Sequence, residues 1–356
     1  MVNLQKHFLG KRVWLSGHTG FKGGWLATWL VESGARVTGF SLAPATPLFD
    51  QLKLGRRLRS EVGDIRDARK VRESIHRCRP DFLFHLAAQP LVRESYRRPL
   101  ETHQVNILGT SHVLEALRKL RHRCAAVLVT TDKVYKNDEK RCVFREEDSL
   151  GGQDPYSASK AAVEILIGSY GVSFFQDHPV RIASARSGNV IGGGDYAEDR
   201  ILPDAFRALR RGFPIAVRNP RSVRPWQHVL EPTFGYLSLA IHLARSQKYE
   251  GAYNFGPSSR DKRSVAELVR EVLKFWPGSW RRLRESRAPY EAERLELQSG
   301  KAQRRLGWRS RLSFSQTVKL TIDWYRASVC PEFDAYDACC RQIREYASLG
   351  RPTKHG

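Results

Sequence analysis

The sequence predicts an α/β protein in which a doubly wound parallel sheet carries a smaller C-terminal lobe. Short apolar runs alternate with amphipathic stretches up to about residue 186, which is the order expected of right-handed βαβ units. A glycine-rich turn joins the first apolar run to the first helix. After about residue 190 the alternation gives way to loops rich in Gly, Pro and Arg. We therefore expect a sheet domain over 9–190, a lobe over 191–330, and a tail, 331–356, of unassigned role.

The elements follow from short patterns taken in chain order. The segment KRVWLSGHTGFKGGWLATWLVESGARVTGFSL predicts strand, turn, amphipathic helix and second strand. Further strands are predicted at DFLFHLA (81–87), AAVLVT (125–130) and VRIASAR (180–186), with helices over 103–121 and 155–171. Asp154 is the expected N-cap of the second of these helices, with Pro155 at its first position.

Composition narrows the class of protein. The chain has 356 residues, of which 41% are apolar, so it can bury a large core and is not a disordered chain. No run of about 18 apolar residues occurs and the N-terminus lacks the apolar core of a signal peptide, so we expect a cytoplasmic protein. Six cysteines lack zinc-site spacing and are expected to be reduced thiols rather than metal ligands: Cys78, Cys124, Cys142, Cys330, Cys339 and Cys340.

The formal net charge of +23 admits nucleic acid, an anionic membrane or an anionic small molecule as partner. The arginines are spread thinly, and their local clusters are not interleaved with aromatic residues as in a single-strand binding surface. We therefore expect an anionic substrate, with neither nucleic acid nor membrane as a partner.

The turn SGHTGFKGG (16–24) has the context of a dinucleotide-binding loop between strand and helix. Gly17, Gly20 and Gly23 allow a tight turn and let a pyrophosphate approach the helix N-terminus, with Thr19 and Phe21 between them. Any tight strand-to-helix turn can use glycines, so this pattern alone is weak. The flanking elements strengthen it.

Cofactor type is left open by the next segments. The position where an acidic residue would bind the 2′-hydroxyl of NAD is Ala43, and no Arg in the adjoining segment would bind a 2′-phosphate. Asp64 and Ile65 follow a third predicted strand and are candidates for an adenine contact. A plain turn before a helix is the alternative for that pair.

A second group of candidates lies where strands end. The run CAAVLV stops at TTDK (130–133), and Tyr156 and Lys160 are four apart, so they share a helix face. A lysine and a helix N-terminus both favour the phenolate, so we expect a lowered tyrosine pKa. Ligands of open α/β sheets bind beyond the carboxyl ends of strands, so the glycine turn, HLAAQP (85–90), TTDK and Tyr156 are expected to share one crevice. Ordinary solvated strand ends and a chance YxxxK pattern are the alternatives.

Longer segments resemble a known family. They are, in chain order, GHTGFKG, FHLAAQPLVRESY, NILGTSHVLEA, TTDKVY, SLGGQDPYSASK, RSGNVIGGGDYAEDRILPD, RNPRSVRPWQHVLEP and YNFGP. Together they closely resemble extended short-chain dehydrogenases/reductases that modify nucleotide sugars, from about residue 9 to 330. GHTGFKG, NVIGGGDYAEDR and RPWQHVLEP are specific to the 4,6-dehydratase subgroup that acts on CDP-glucose.

The resemblance implies a Rossmann-type domain with tightly bound NAD over 9–190 and a substrate-binding lobe mainly over 191–330. It implies a lyase that oxidises C4 of CDP-glucose, eliminates water across C5 and C6, and returns hydride to C6. It further implies cofactor contacts from Leu86, Ala87, Ala88 and Gln89. A homo-oligomer, expected to be a dimer, that serves 6-deoxyhexose biosynthesis for lipopolysaccharide O-antigen is implied as well.

Carried over residue by residue, the resemblance also implies catalytic roles. Tyr156 would take the proton of the C4 hydroxyl, Thr131 would hold that hydroxyl, and Lys160 would bind the nicotinamide ribose. Asp132 would protonate the leaving C6 hydroxyl, and Lys133 would take the C5 proton, in the position where dTDP- and GDP-sugar relatives have Glu. A lysine base needs a depressed pKa, which nearby cations favour and Asp132 opposes.

Substrate contacts are expected from two later segments. Asn189 in RSGNVIG and Arg224 in RPWQHV would hold the diphosphate, because a guanidinium offers paired donors to phosphate oxygens. Arg224 could equally be a surface arginine of a basic protein. His228 is a third candidate for a substrate contact, and packing in the core is its alternative role. Trp226 is expected to be a packing residue.

Two residues differ from the family pattern, and three functions other than the implied one are compatible with the sequence. Ala43 stands where the family tends to keep Asp, and Val134 replaces a frequent Cys. A dehydratase for another nucleotide or an epimerase would need only Tyr156, Lys160 and a different base pocket, although Asp132 argues against a simple 4-epimerase. A non-catalytic Rossmann module that binds nucleic acid or senses redox state is the third alternative.

Overall fold

A computed structural model describes residues 4–138, 143–258, 261–283 and 295–349. The strands are β1 (Arg12–Ser16), β2 (Arg36–Ser41), β3 (Arg59–Val62), β4 (Phe82–His85), β5 (Cys124–Val129), β6 (Val143–Phe144), β7 (Val180–Ser187), β8 (Val190–Ile191), β9 (Ile215–Val217), β10 (Val223–Pro225), β11 (Gln227–His228), β12 (Gly251–Phe255), β13 (Lys262–Ser264), β14 (Trp280–Arg282) and β15 (Glu296–Leu297). The helices are α1 (Leu4–Phe8), α2 (Phe21–Glu32), α3 (Leu48–Gln51), α4 (Ala68–Cys78), α5 (Val92–Arg97), α6 (Pro99–His103), α7 (Gly109–Arg118), α8 (Pro155–Phe174), α9 (Ile201–Arg210), α10 (Leu230–Arg245), α11 (Val265–Phe275), α12 (Gly300–Leu306), α13 (Phe314–Ala327) and α14 (Ala335–Ser348).

Seven of the strands form one parallel sheet in the order β12-β7-β5-β4-β1-β2-β3. The chain runs outward from β1 through β2 and β3, then returns to the other side of β1 with β4. This reversal is a topological switch point, where the carboxyl ends of open α/β sheets leave a crevice for ligands. The predicted doubly wound parallel sheet is confirmed.

Helices cover both faces of the sheet because its strands are apolar on both sides. β5 is buried over its whole length, as expected for a central parallel strand. Helices α4, α7 and α8 pack on one face through a cluster that contains Trp14 and Phe40. Helices α2 and α10 pack on the other face, around Trp25 and Tyr236.

The predicted strands agree with the observed bounds to within two residues, and α8 runs three residues past its predicted end at 171, to Phe174. One predicted helix is not a single α-helix. The helix predicted over 103–121 is a chain of three pieces: α6, a π-helix at Gln104–Leu108, and α7. The expected start of α8 is confirmed, since Asp154 accepts a hydrogen bond from the Ser157 N–H and Pro155 follows at the first position.

The second half of the chain contributes elements both to a smaller lobe and to the main sheet. A separate apolar cluster joins β9, α9, α11 and α13 into a smaller lobe beside the sheet. However, β12 pairs with β7 in the main sheet, and α10 covers a sheet face, although both lie after residue 190 in the sequence. The proposed division into 9–190 and 191–330 stays a prediction, and these two elements cross it.

The last segment is structured where it is described. Helix α14 buries Cys339 and Tyr346 against the sheet domain, and Tyr336 donates a hydrogen bond to Glu32 on α2 at 2.9 Å. Five cysteines are free thiols as predicted, and Cys142 lies outside the described residues. Within the described part of the chain, no helix is both long and apolar enough to cross a membrane. The cytoplasmic location stays a prediction.

Candidate active site

A cavity of about 420 Å³ opens at the carboxyl edge of the sheet, between the sheet domain and the smaller lobe. Its volume falls in the usual range of small-molecule sites. Of the residues predicted from sequence, the cavity is lined by Phe21, Thr131, Asp132, Lys133, Tyr156, Asn189 and Arg224. The structure thus brings together cofactor-binding, catalytic and substrate-binding candidates that lie up to 203 positions apart, from Phe21 to Arg224.

The glycine turn fits a pyrophosphate because two of its glycines leave no room for a side chain. A Cβ on Gly23 would lie 1.9 Å from the Gly17 carbonyl oxygen, and a Cβ on Gly17 would lie 2.8 Å from the Ala87 nitrogen. Gly17 also has φ +77°, a left-handed conformation that favours glycine. Gly20 is the N-cap of α2 and provides no side-chain cap, so the helix N-terminus remains available to an anion. These features match the loop that the sequence predicts for a dinucleotide.

The other predicted cofactor contacts lie around the glycine turn. Thr19 Oγ1 bonds to Ser41 Oγ at 2.8 Å, which ties the turn to the end of β2. The backbone N–H groups of Leu86 and Ala87 both donate to Ser16 Oγ, at 3.0 and 3.1 Å, so the end of β4 is fixed beside β1. Ala88 follows and is partly buried. These positions lie next to the glycine turn, as expected of cofactor contacts.

Gln89 differs from its neighbours because its side chain is engaged by the protein. Its amide group donates to Thr102 Oγ1 at 2.9 Å, and its oxygen accepts from the Leu91 N–H at 2.6 Å. Its backbone N–H donates to Asn106 Oδ1 at 2.9 Å. Its carbonyl oxygen accepts from the Asn106 amide at 3.2 Å, so side chain and backbone of Gln89 both shape the loop, and a cofactor contact from Gln89 stays a prediction.

The predicted adenine contacts lie at the end of β3. Asp64 is held by Arg66, which donates to both carboxylate oxygens, and this lowers the pKa of Asp64. Ile65 is buried and packs so closely on Gly109 that a Cβ there would lie 2.6 Å from the Ile65 side chain. Ile65 can offer an apolar surface, whereas the Asp64 carboxylate already has a cation beside it.

The TTDK segment forms a short turn at the end of β5, and this turn directs its side chains into the cavity. Thr131 donates to Asp132 Oδ1 at 2.9 Å, and Asp132 is only 3% exposed. Burial raises the pKa of the Asp132 carboxyl, while the charge of neighbouring Lys133 acts to lower it. A Cβ on Gly188 would lie 2.7 Å from Asp132 Oδ2, so the carboxylate rests directly on the backbone of that loop. A raised pKa is what a proton donor needs near neutral pH.

Tyr156 and Lys160 lie on the same face of α8, and both are buried. The pKa of Tyr156 is raised to about 12, because burial outweighs a hydrogen bond with Thr131 that acts to lower it. The expected lowering by Lys160 is therefore wrong for the protein alone. Burial lowers the pKa of Lys160 to about 8, with a smaller contribution from Lys22. Lys160 donates to the Val129 carbonyl at 3.4 Å from below the cavity.

The three substrate candidates differ in position. Arg224 lines the cavity with 7% of its surface exposed, so it is not an ordinary surface arginine. Asn189 lines the cavity too, and its carbonyl accepts from the Gln227 N–H at 3.1 Å. His228 is fully buried outside the cavity lining, packed edge-on against Trp25, with its pKa lowered by burial to about 3. The packing role weighed for His228 agrees with this position.

Four further residues at or beside the cavity were not predicted from the sequence. Lys22, Asp195 and Arg200 line the cavity, and Arg200 pairs with Asp195 at 2.9 Å. The pKa of Lys22 is lowered to about 8 by burial and by repulsion from Arg200. Asn106, in the π-helix, donates to Ser159 Oγ at 2.8 Å and so connects that helix to α8. All four lie inside segments of the family resemblance, GHTGFKG, GDYAEDR and NILGTSHVLEA, so their place in those segments was the available signal.

A buried polar network supports the catalytic residues from behind. Glu164, one helical turn after Lys160, pairs with Arg186 at 2.8 Å and accepts from Ser184 Oγ at 2.8 Å. Thr130 Oγ1 also donates to Glu164. The network therefore joins α8 to the ends of β5 and β7, which present the cavity residues. Among the described residues, no group of three or more His, Cys, Asp or Glu side chains is placed to hold a metal ion.

With this geometry established, comparison with known proteins decides the family. The sequence profile of the family described as "GDP-mannose 4,6 dehydratase" matches residues 15–256. The chain belongs to this family. The match spans the glycine turn, the TTDK turn, α8 and the segment that carries Arg224.

Curated relatives cover most of the chain. CDP-glucose 4,6-dehydratase of Salmonella typhimurium is 42% identical over 349 residues, which cover 95% of this chain and 97% of that protein. dTDP-glucose 4,6-dehydratase of Xanthomonas campestris is 26% identical over 333 residues, covering 88% and 92%.

Solved structures share the fold. UDP-glucose 4-epimerase of Thermotoga maritima, solved with UDP-glucose, superposes with a TM-score of 0.78 at 20% identity and covers 89% of this chain and 99% of its own. dTDP-glucose 4,6-dehydratase of Streptomyces venezuelae, solved with NAD and TYD, has a TM-score of 0.77 at 22% identity, with coverages of 88% and 97%.

Proposed function

We propose that this protein is a CDP-glucose 4,6-dehydratase, which converts CDP-D-glucose to CDP-4-keto-6-deoxy-D-glucose. The observation that carries the proposal is 42% identity over nearly the whole chain to an enzyme of that name. The cavity supports it, because Thr131, Asp132, Lys133 and Tyr156 face one space of ligand size. Such a reaction needs groups that move protons at C4, C5 and C6, and the presence of these four side chains in one cavity supports the assignment.

NAD is the proposed cofactor. The crowded glycines of the first turn and the uncapped N-terminus of α2 fit a pyrophosphate, and several dehydratases and epimerases of the same fold were solved with NAD. When bound, NAD supplies the acceptance of hydride from C4 and its return to C6. Leu86, Ala87, Ala88 and Ile65 would form walls of this site, and Lys160 would hold the nicotinamide ribose. The absence of an Arg after β2 favours NAD over NADP.

Oxidation at C4 is assigned to Tyr156 with Thr131. The two side chains share a hydrogen bond and both line the cavity, which supports a shared contact with the C4 hydroxyl. Tyr156 is a neutral phenol in the protein alone because its pKa is raised to about 12. It can take a proton only when positive charge near the phenol favours the phenolate. Lys160, Arg200 and an oxidised nicotinamide are the cations available for this purpose.

Elimination is assigned to Asp132 and Lys133. A buried carboxyl with a raised pKa can donate a proton to the leaving C6 hydroxyl, and Asp132 meets both conditions. Lys133 lines the same cavity and is the proposed base for the C5 proton. Arg224 and Asn189 are the proposed diphosphate contacts, with most of the substrate lobe contributed by residues 191–330.

Nucleotide specificity gives the first test. Purified protein is incubated with CDP-, dTDP-, GDP- and UDP-glucose, and the 4-keto product is measured by its absorbance in alkali. We expect CDP-glucose to have the highest kcat/KM. A clear preference for another nucleotide would assign the chain to a different dehydratase, and conversion without water loss would indicate an epimerase. Absence of turnover with all four would favour a non-catalytic module.

Three substitutions separate the proposed steps. Tyr156→Phe should give no reduced-nicotinamide absorbance on substrate addition, whereas Asp132→Asn should oxidise C4 but stall at water loss. Lys133→Met should oxidise C4 and exchange the C5 hydrogen with solvent deuterium about 10²–10⁴-fold more slowly than the unmodified protein. Undiminished C5 exchange in Lys133→Met would remove Lys133 from the role of base.

We also propose that the protein is a homo-oligomer. Its contact surface would be the outer face of α8 together with the neighbouring run of α6, the π-helix and α7. Large apolar side chains are exposed on this face: Leu100 at 70%, Leu108 at 51%, Ile165 at 62% and Val172 at 69%. A second copy would bury them in an isologous contact. We expect the substitution Ile165→Glu to lower the mass found by analytical ultracentrifugation. The matched change Phe213→Glu, at a side chain 63% exposed on another surface, should not.

A further inference from the structure

A basic groove lies at the edge of the sheet opposite the catalytic cavity. Three neighbouring parallel strands, β1, β2 and β3, begin with Arg12, Arg36 and Arg59. Their amino ends and the last turn of α4 enclose a concavity of about 600 Å³. None of its lining residues is shared with the catalytic cavity.

The groove carries a local excess of positive charge. Its lining contains six arginines: Arg12, Arg36, Arg56, Arg57, Arg59 and Arg77. Glu61 is the acidic residue of the lining, and Asp81 lies beside it as the partner of Arg12. Six guanidinium groups against two carboxylates leave an excess of four positive charges in this small space.

Four of these guanidinium groups are held in place. Arg12 donates to both oxygens of Asp81, with the shorter contact at 3.0 Å. Arg59 and Arg77 share the carboxylate of Glu61 at 2.8 and 2.9 Å. Arg57 stacks on the ring of Tyr336 at 3.5 Å. Holding a donor before a ligand arrives reduces the entropy lost on binding.

The other two arginines have no such acidic partner. Arg36 and Arg56 make no ion pair within the described part of the chain. Arg36 is also in register with Arg12 across β1 and β2, so two like charges lie directly opposite on adjacent strands. Asp81 already compensates the charge of Arg12, whereas the charge of Arg36 has no acidic partner among the described residues. An anion in the groove would compensate this charge.

We propose that this groove binds a small molecule with a chain of phosphates, such as a nucleoside triphosphate or inorganic tripolyphosphate. Guanidinium groups match phosphate oxygens in paired contacts, and a lining with six arginines favours a ligand with several phosphates over one with a single phosphate. The volume is that of a small-ligand site. The site is separate from catalysis, so its occupation does not require the nucleotide sugar.

The test is calorimetric titration of the full chain with inorganic tripolyphosphate at physiological salt. We expect saturable binding that weakens at least tenfold in the double variant Arg36→Gln/Arg56→Gln. Removal of the same charge at Arg304→Gln/Arg305→Gln, exposed on α12, should leave binding unchanged. Arg224→Gln should leave binding in the groove unchanged, because Arg224 lies in the other cavity, and it should weaken only a second binding event at the diphosphate contact there.

Three results would overturn the proposal. Equal weakening by the two double variants would mean that only overall charge attracts the anion. Loss of binding in Arg224→Gln would place the anion in the catalytic cavity. Tighter binding of duplex DNA than of tripolyphosphate, lost in Arg36→Gln/Arg56→Gln, would make the groove a nucleic-acid surface. Nucleoside triphosphate titrated beside tripolyphosphate shows whether the base and sugar add to affinity. All variants are first compared for thermal unfolding with the unmodified protein.

Discussion

Glu164 illustrates how a single residue can position an active site without lining its cavity. It lies one helical turn beyond Lys160 and two beyond Tyr156, and its carboxylate contacts the ends of two central strands. Its ion pair with Arg186 is almost fully shielded, with 3% and 4% of the two side chains exposed. Removing one partner of such a pair leaves a buried charge uncompensated.

The resulting prediction concerns stability. Glu164→Ala should lower the free energy of unfolding by about 3–5 kcal/mol, measured by urea denaturation. The double variant Glu164→Leu/Arg186→Met should lose less than the single variant, because no unpaired charge remains. If the single variant lost less than the double, the pair would not be the feature that stabilises this region.

Among elements, the glycine turn shows how backbone contact sets a binding loop. A Cβ on Gly23 would overlap the Gly17 carbonyl, so Gly23→Ala must displace the turn from the start of α2. We expect this variant to lose bound NAD and to unfold at lower temperature. Gly171→Ala on α8 is the matched control, because its Cβ would make only an ordinary contact at 3.9 Å. It should be neutral or stabilise the helix by about 0.5–1 kcal/mol. Equal NAD content in the two variants would contradict this account of the turn.

The same elements show how far sequence reasoning reaches. Local patterns predicted β1, β2, β4, β5, β7 and α8 closely, because short apolar runs and capping residues determine those bounds. Strand β12 could not be assigned to the main sheet, since its partner β7 is 64 positions away, counted from Gly251 to Ser187. The shared position of TTDK and Tyr156 in one cavity could be predicted because the carboxyl ends of parallel strands converge, whereas their catalytic roles stay predictions. The pKa of Tyr156 was missed because burial depends on the whole fold.

At the scale of the whole molecule, the C-terminal helix completes the core. Tyr346 is 1% exposed, packs edge-on against Trp29 with ring centroids 5.8 Å apart, and donates to Glu231 at 2.6 Å. Its partner Glu231 is buried as well. The sequence did not predict that α14 packs on the core, because each of these contacts joins residues that lie far apart in the chain.

Truncation tests that role. Removing residues 331–356 should lower the urea midpoint strongly, since each fully buried large side chain contributes about 1.5–3 kcal/mol. Removing only 350–356 spares α14 and should leave the midpoint unchanged. Equal midpoints for the two truncations would show that α14 adds nothing to the core.

Transfer of hydrogen within the sugar tests the central claim most directly. CDP-glucose carrying deuterium at C4 is incubated with the protein in ordinary water, and the product is examined by NMR and mass spectrometry. The proposed reaction predicts that deuterium moves from C4 to the C6 methyl group, while C5 takes a hydrogen from solvent. Deuterium that returned to C4 of a sugar that had lost no water would indicate an epimerase. Label released entirely to solvent would contradict the assignment of a 4,6-dehydratase.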